Sequence, residues 1–501
     1  AARGPPGDWP RPRSRPPPEP EPGIGSAGQP RRQADRFPHA PGIGAALAGN
    51  VIANTVRTAI TGSDVEAGAS VTLTSESAAV IRSVAVGVAA SSTAAGQFSA
   101  MGNAVANGVA AEITDSSVTA GSVTLSASEV APDSFPIKLP AGLTDGTDDL
   151  LAYIVPDIEG NILALMVSVG ASSTAAGNAA AMANVIKSDV VSRITRSDVH
   201  ARGDVKLTAL SDSRILALMV GVAGSSTAAG NLNVSANTIT NSVEASISDA
   251  SRPGDATFGV SADGSVVLEA TNTSAVDSLS VGVAGSGTAA GGAMAAGNVV
   301  TNSLVSRIAG ATVDAGLDVS LTSTSSAVIR TLAVGVAASG AASGQFSGMG
   351  NVVANTVASE IVGSTVSASG DVLLSASDIA PSLIPDWALP DGLGEGLGTA
   401  LNFLSIDLSG NILALMVCVA AAGGAAGNAA LMGNVIANDI GARIADSTVR
   451  AGVDEAGTVT STDSDIVLDA ESRARIIAAM VGVAGSGGAA GSANVTGNVI
   501  S

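Results

Sequence analysis

Few residues of this 501-residue chain could carry out chemistry. The histidines are His39 and His200 alone, and Cys418 is the single cysteine. One thiol excludes an intrachain disulfide framework and a Cys-rich zinc site. Carboxylates remain. Asp463, Asp465 and Asp469 cluster in "TDSDIVLDAES", and two carboxylates facing each other across a cleft hydrolyse glycosidic bonds. These three share a parity with Val467, as an acidic outer row of a strand would. Sugar clefts also want aromatic platforms, and aromatics are only 2% of the chain. "DGTDD" at 145–149 is the best local candidate for calcium, which takes oxygen ligands from acids at turns. The Gly-Asp-rich nonapeptide calcium repeat is missing, and a solvated loop is the plainer reading. No HExxH, GxSxG elbow or P-loop occurs, and GxG strings carry no weight among 60 glycines. No catalytic, cofactor or metal residue is therefore assigned, and the expectation is a protein that is not an enzyme.

The elements around these residues are repeats. The phrase "NVIANTVRTAI" at 50 returns at 103, 184, 237, 298, 351 and 434, and "NVIS" at 498 opens an eighth copy. The shortest spacing, found three times, is 53 residues; longer gaps are that unit plus insertions. Within the phrase, Asn50, Ile52, Asn54, Val56, Thr58 and Ile60 share one parity. Every charged residue of the seven full copies takes the other parity: Arg57, Glu112, Lys187, Asp189, Arg193, Glu244, Arg307, Glu360, Asp439 and Arg443. That pattern is a strand with one buried and one wet face. A helix would set Glu112, Arg193 or Arg307 inside its own apolar stripe. A second strand reads from "VTAGSVTLSAS" at 118. A third, "RILALMVGVAG" at 214, is apolar on both parities, so its outer face is either covered or sticky. The following "GSSTAAGN" reads as a corner and a thin strand, with Gly supplying turn torsions and Ala and Ser allowing close backbone approach.

These units predict an all-β fold, a parallel β-helix (β-solenoid) of about seven to eight 53-residue repeats stacked about 4.8 Å apart. Whether 53 residues make one wide coil or two smaller ones stays open. Stacking predicts two asparagine ladders, one of Asn50, Asn103, Asn184, Asn237, Asn298, Asn351 and Asn434, the other of Asn54, Asn107, Asn241, Asn302, Asn355 and Asn438. Stacked amides satisfy one another along the axis.

A larger period exists. "QFSAMGN" at 97 returns as "QFSGMGN" at 345, and "GNILALMV" at 160 returns at 410. Each block carries a Pro-bearing insertion, 131–159 and 380–409, read as an excursion from a corner, and a smaller one lies at 250–264. "DDLLAYIV" and "GTALNFL" suggest short helices within them. Phe135, Tyr153, Trp387 and Phe403 sit in the two large insertions and are the candidate partner-binding residues. The other reading is a flap over the apolar strand beside it. Residues 1–41 are Pro/Arg-rich, cannot pack, and are expected to be disordered. That opening and the stop inside a repeat are those expected of a segment of a longer chain.

Composition narrows the function further. Hydrophobic residues reach 46%, which excludes disorder throughout, and no apolar run is long enough to be a membrane helix. The first 41 residues carry a net charge of +3, leaving −23 on 42–501. So acidic a body disfavours nucleic acid.

The motifs "NVIANTV", "VTAGSVTLSAS" and "VGVAGSSTAAGN", over about 42–501, resemble the repetitive passenger region of Gram-negative filamentous-haemagglutinin and leukotoxin-type filamentous adhesins. Those are giant surface proteins exported by two-partner secretion or autotransport. The resemblance implies a right-handed parallel β-helix, export across the outer membrane, and adhesion or biofilm contacts. No secretion domain, signal or translocator accompanies the motifs. The expected function is a non-enzymatic extracellular stalk or adhesive segment, with no cofactor, no membrane insertion by this segment, and a surface ligand of unknown identity. The alternatives are a polysaccharide-acting β-helix enzyme and a self-associating matrix protein using the two-sided apolar strands.

Overall fold

The computed structural model describes residues 41–131, 160–249, 259–379, 410–453 and 457–501. Among them there are strands and turns but no helix. Phe135, Tyr153, Trp387, Phe403, His39, the 145–149 loop and both expected short helices lie outside the described residues.

Ala40–Ser501 is one unit, a parallel β-solenoid. Each 53-residue repeat makes one wide coil of three sides, which settles the coil question. In the third coil, sheet A is Ala175–Thr195, sheet B is Asp198–Ala201 and sheet C is Val205–Ser225. Eight rungs stack in sheet A and seven in sheet B, all parallel and in register. Rung 1 of sheet A is Gly42–Thr61 and rung 8 is Ala489–Ile500. A 53-residue repeat gives neighbouring rungs the same side-chain phase, so apolar columns face inward together.

Each corner has its own chemistry. From A to B the chain passes one residue in the left-handed region: Gly62, Asp115, Arg196, Asp249, Gly310, Gly363 and Asp446, with φ between 47° and 59°. A serine follows at most of these turns, and its hydroxyl accepts the backbone N–H of the preceding rung, as Ser116 does from Ser63 at 3.1 Å. From B to C, aspartates bond in the opposite sense, accepting the backbone N–H of the following rung: Asp204 Oδ1 accepts from Ser265 N–H, Asp318 from Asp371 and Asp371 from Asp465 (2.8–2.9 Å). The C-to-A corner holds the "GSST" phrase. Its glycines have no left-handed torsion, contrary to the sequence expectation. A Cβ on Gly224 or Gly285, the first residue of the phrase, would meet nothing within 4 Å. The tight place is its third residue, serine in rungs 2–4, where a Cβ on Gly287, Gly340 or Gly423 would approach the backbone oxygen of the neighbouring rung.

The interior has two main apolar cores. One joins sheet B to the nearer halves of A and C, with Ile113, Leu125, Ile194, Leu207 and Val243. The other joins the farther halves, with Met166, Met182, Ile186, Ile215 and Met219. Alanines close the tip at Ala223, Ala229 and Ala284.

Both large insertions open in the middle of sheet C, not at a corner. Glu129 pairs with Ser211 and Ile162 with Ile215, so 130–161 stands where the uninterrupted coil has only Asp212, Ser213 and Arg214. The strand resumes its register because its apolar column continues on the far side. Residues 259–264 of the third expected insertion belong to the regular coil: Val260–Ala262 pairs in sheet B with Val199–Ala201 and Val313–Ala315.

Candidate functional site

The two asparagine columns both face inward, and they behave differently. The first is a continuous amide ladder. Asn50 Nδ2 donates to Asn103 Oδ1, and the same bond runs on through Asn184, Asn237, Asn298, Asn351, Asn434 and Asn498 at 2.8–2.9 Å. Sheet C adds hydroxyls, with Thr331 Oγ1 accepting from Asn298 and donating to Asn351. In the second column the amides do not bond to one another's side chains. Asn302 Oδ1 accepts the backbone N–H of Asn241, Asn355 that of Asn302 and Asn438 that of Asn355 (3.0–3.2 Å). The rungs carrying Asn302, Asn355 and Asn438 break for two residues there, which frees the backbone N–H for the side chain. Ser188 holds the place of Asn54 and Asn107 in the third rung.

The amide nitrogens of the second column turn instead to sheet C: Asn241 donates to Asn272 and Ser213, Asn302 to Ser274, and the other three described donors to acids. Asn107 Nδ2 donates to Glu129 Oε1 at 2.8 Å; Asn355 and Asn438 donate to Asp378 at 3.2 and 2.6 Å. Glu129 and Asp378 are wholly buried, in line with the apolar column of their own strands. Burial pushes both carboxyls up from the ordinary range, and their hydrogen bonds pull them partly back. This polar seam divides the two cores. The sequence signal for Glu129 was its parity with Leu125 and Ala127, which sequence reasoning passed over.

A third inward column was also missed: Gln97, Asn178, Asn231, Gln345 and Asn428. Asn178 Nδ2 donates to Asn231 Oδ1 at 2.7 Å. It explains the glycine of "VGV": a Cβ on Gly87, Gly221 or Gly335 would strike these amides.

The residues considered for catalysis are dispersed. His200 Nδ1 meets Ser261 Oγ at 2.7 Å on the surface of sheet B. Cys418 is buried in the farther core against Ser347, and burial pushes its thiol up. Asp465 is a partner in the B-to-C corner pairing, Asp463 lies in the turn before it, and Asp469 faces outward beside Val467. Among the described residues, no group of three or more His, Cys, Asp or Glu could hold a metal ion. Nor, among the described residues, is any helix long and apolar enough to cross a membrane.

The outer faces differ. On sheet C, Leu163, Leu218, Leu332 and Val334 are 4–7% exposed, whereas Val84, Val86 and Val88 stand open. Asp277 is buried on this face between Arg214 (2.9 Å) and Arg330 (3.3 Å), and burial lowers the Arg330 guanidinium's pKa. On sheet A, the half nearer sheet B carries ion pairs: Glu112 between Arg57 and Arg193, and Glu360 between Arg307 and Arg443. The other half has no charged residue over eight rungs. Two shallow grooves of about 540 and 580 Å³ run along it, one past Gly177, Gly230, Gly291 and Gly344.

No family model, curated protein or solved structure matches the chain.

Proposed function

We propose that the chain is a non-enzymatic structural and adhesive stalk segment of a large bacterial surface protein, working outside the cell. The observation that carries this reading is where the recurrent polar chemistry goes. The asparagine ladder, the corner serines and the corner aspartates all bond along the stacking axis, each rung to the next. Such side chains hold stacked coils together. The corner aspartates speak against the polysaccharide-enzyme alternative, since Asp318 and Asp371 are already committed to backbone N–H groups. The acidic surface suits a soluble, self-repelling stalk segment.

Two measurements test it. Cells displaying the chain are expected to be retained on glycan- or host-cell-coated surfaces, or in biofilm, more than cells without it. The purified chain is expected to leave polysaccharides intact. Acid-dependent cleavage of any polysaccharide, abolished by replacing Asp465 or Asp469, would replace the stalk reading with the enzyme.

A further inference from the structure

The uncharged half of sheet A is an open apolar plane. Its outward residues form columns along the axis. One is glycine in seven successive rungs: Gly96, Gly177, Gly230, Gly291, Gly344, Gly427 and Gly491. A Cβ on any of them would meet nothing within 4 Å, so the coil itself does not require glycine there. The next outward column alternates large and small. Phe98, Leu232 and Phe346 stand on rungs 2, 4 and 6, and Ala179, Ala293 and Ala429 on rungs 3, 5 and 7. The three large side chains are 44–48% exposed.

We propose that this plane is the contact between two copies of the chain, packed face to face with their solenoid axes antiparallel. A two-fold axis parallel to the strands, between rungs 4 and 5, brings rung 2 over 7, 4 over 5 and 6 over 3. Phe98 of one copy then sits over Ala429 of the other, Leu232 over Ala293 and Phe346 over Ala179. Every large residue of that column meets a small one, which is the self-complementarity a two-fold contact demands. The adjacent glycine column lets the two backbones come close. Eight rungs about 4.8 Å apart and nine residues about 3.3 Å apart give a face of about 1,000 Å². A pair therefore buries on the order of 2,000 Å², at the upper end of stable specific interfaces. The remaining surface is acidic and repels, so salt strengthens the pair. This contact does not depend on the stalk reading: a monomer would leave that reading standing, and a dimeric enzyme would leave this one.

Sedimentation of the full chain over a hundredfold concentration range tests it. The wild type is expected to dimerise, more tightly at higher salt. Gly291→Lys, where the added side chain enters open space, is expected to be monomeric, with the same unfolding midpoint as the wild type when both are measured at concentrations where the wild type is also monomeric. In a Cys418→Ser background, chains bearing Leu232→Cys and Ala293→Cys are expected to form a disulfide with each other when mixed. A monomeric wild type, a dimer that survives Gly291→Lys, or failure of the mixed cross-link overturns the proposal. So does a monomer that floats with phosphatidylcholine vesicles, which assigns the plane to lipid.

Discussion

The two halves of sheet A share a backbone, a register and an inward asparagine column, and they present opposite exteriors. Nearer sheet B, Glu112 is gripped by Arg57 and Arg193, and Glu360 by Arg307 and Arg443. Toward the tip, the outward positions are Gly, Ala, Val, Leu and Phe, with one Ile and one Thr, and the charge is gone. Stacking alone cannot account for the difference, because both halves stack equally well. Along the charged half, oppositely charged neighbours add electrostatic preference to the order of the rungs. Along the neutral half, nothing outside sets that order, and the interior amide ladder carries it. The neutral half is thereby free to present one flat apolar surface.

The largest expected effect falls on that interior ladder. Asn237→Ala strands the Nδ2 of Asn184 and the Oδ1 of Asn298 in the core. Two buried groups without partners cost about 2–5 kcal/mol, measurable by denaturant unfolding. A cost near zero would mean that the ladder does not hold the neutral half in register.

Next comes the charged half. Glu112→Ala removes the carboxylate shared by two half-exposed arginines. A loss of about 1–2 kcal/mol is expected, shrinking in high salt. The same loss at all salt concentrations would show that packing, not charge, sets this half apart.

The seam between the two cores gives a pH test. Burial holds Glu129 in its protonated form to a higher pH when folded than when unfolded. Its contribution is therefore complete below the unfolded carboxylate range and declines as pH rises through that range toward the folded value. Glu129→Gln is expected to flatten this decline and to raise stability at pH 8 by on the order of 1 kcal/mol. A decline that persists unchanged in the variant would place its origin elsewhere. Smallest is Gly230→Ser on the neutral plane, where a Cβ has open space. Monomer stability is expected to move by less than about 0.5 kcal/mol.

The parallel stacking was readable from sequence because Asn50 and its repeats recur at one spacing with charge confined to the opposite parity. The wide coil was not, since alternation has the same period in one coil of 53 residues as in two shorter ones. The column of Gln97, Asn178 and Asn231 escaped notice because its residue type changes from rung to rung, unlike the constant asparagine. Proline in the insertions showed that the chain leaves the sheet, but where it leaves depends on the pairing of Glu129 with Ser211. The glycines of "VGV" and of "TAAG" look alike in sequence. One faces amides inside and the other faces open space, and only tertiary neighbours tell them apart.

All these assignments of inside and outside follow from a single turn of backbone per repeat. Spin labels at Ala110→Cys and Ala358→Cys, in a Cys418→Ser background, read it directly. Both sites lie in one outward column of sheet A, four rungs apart, through Val191, Glu244 and Val305. Pulsed dipolar spectroscopy is expected to give a backbone separation of about 19 Å, four rungs of about 4.8 Å. A separation of about 38 Å, as two turns per repeat would require, would contradict the account.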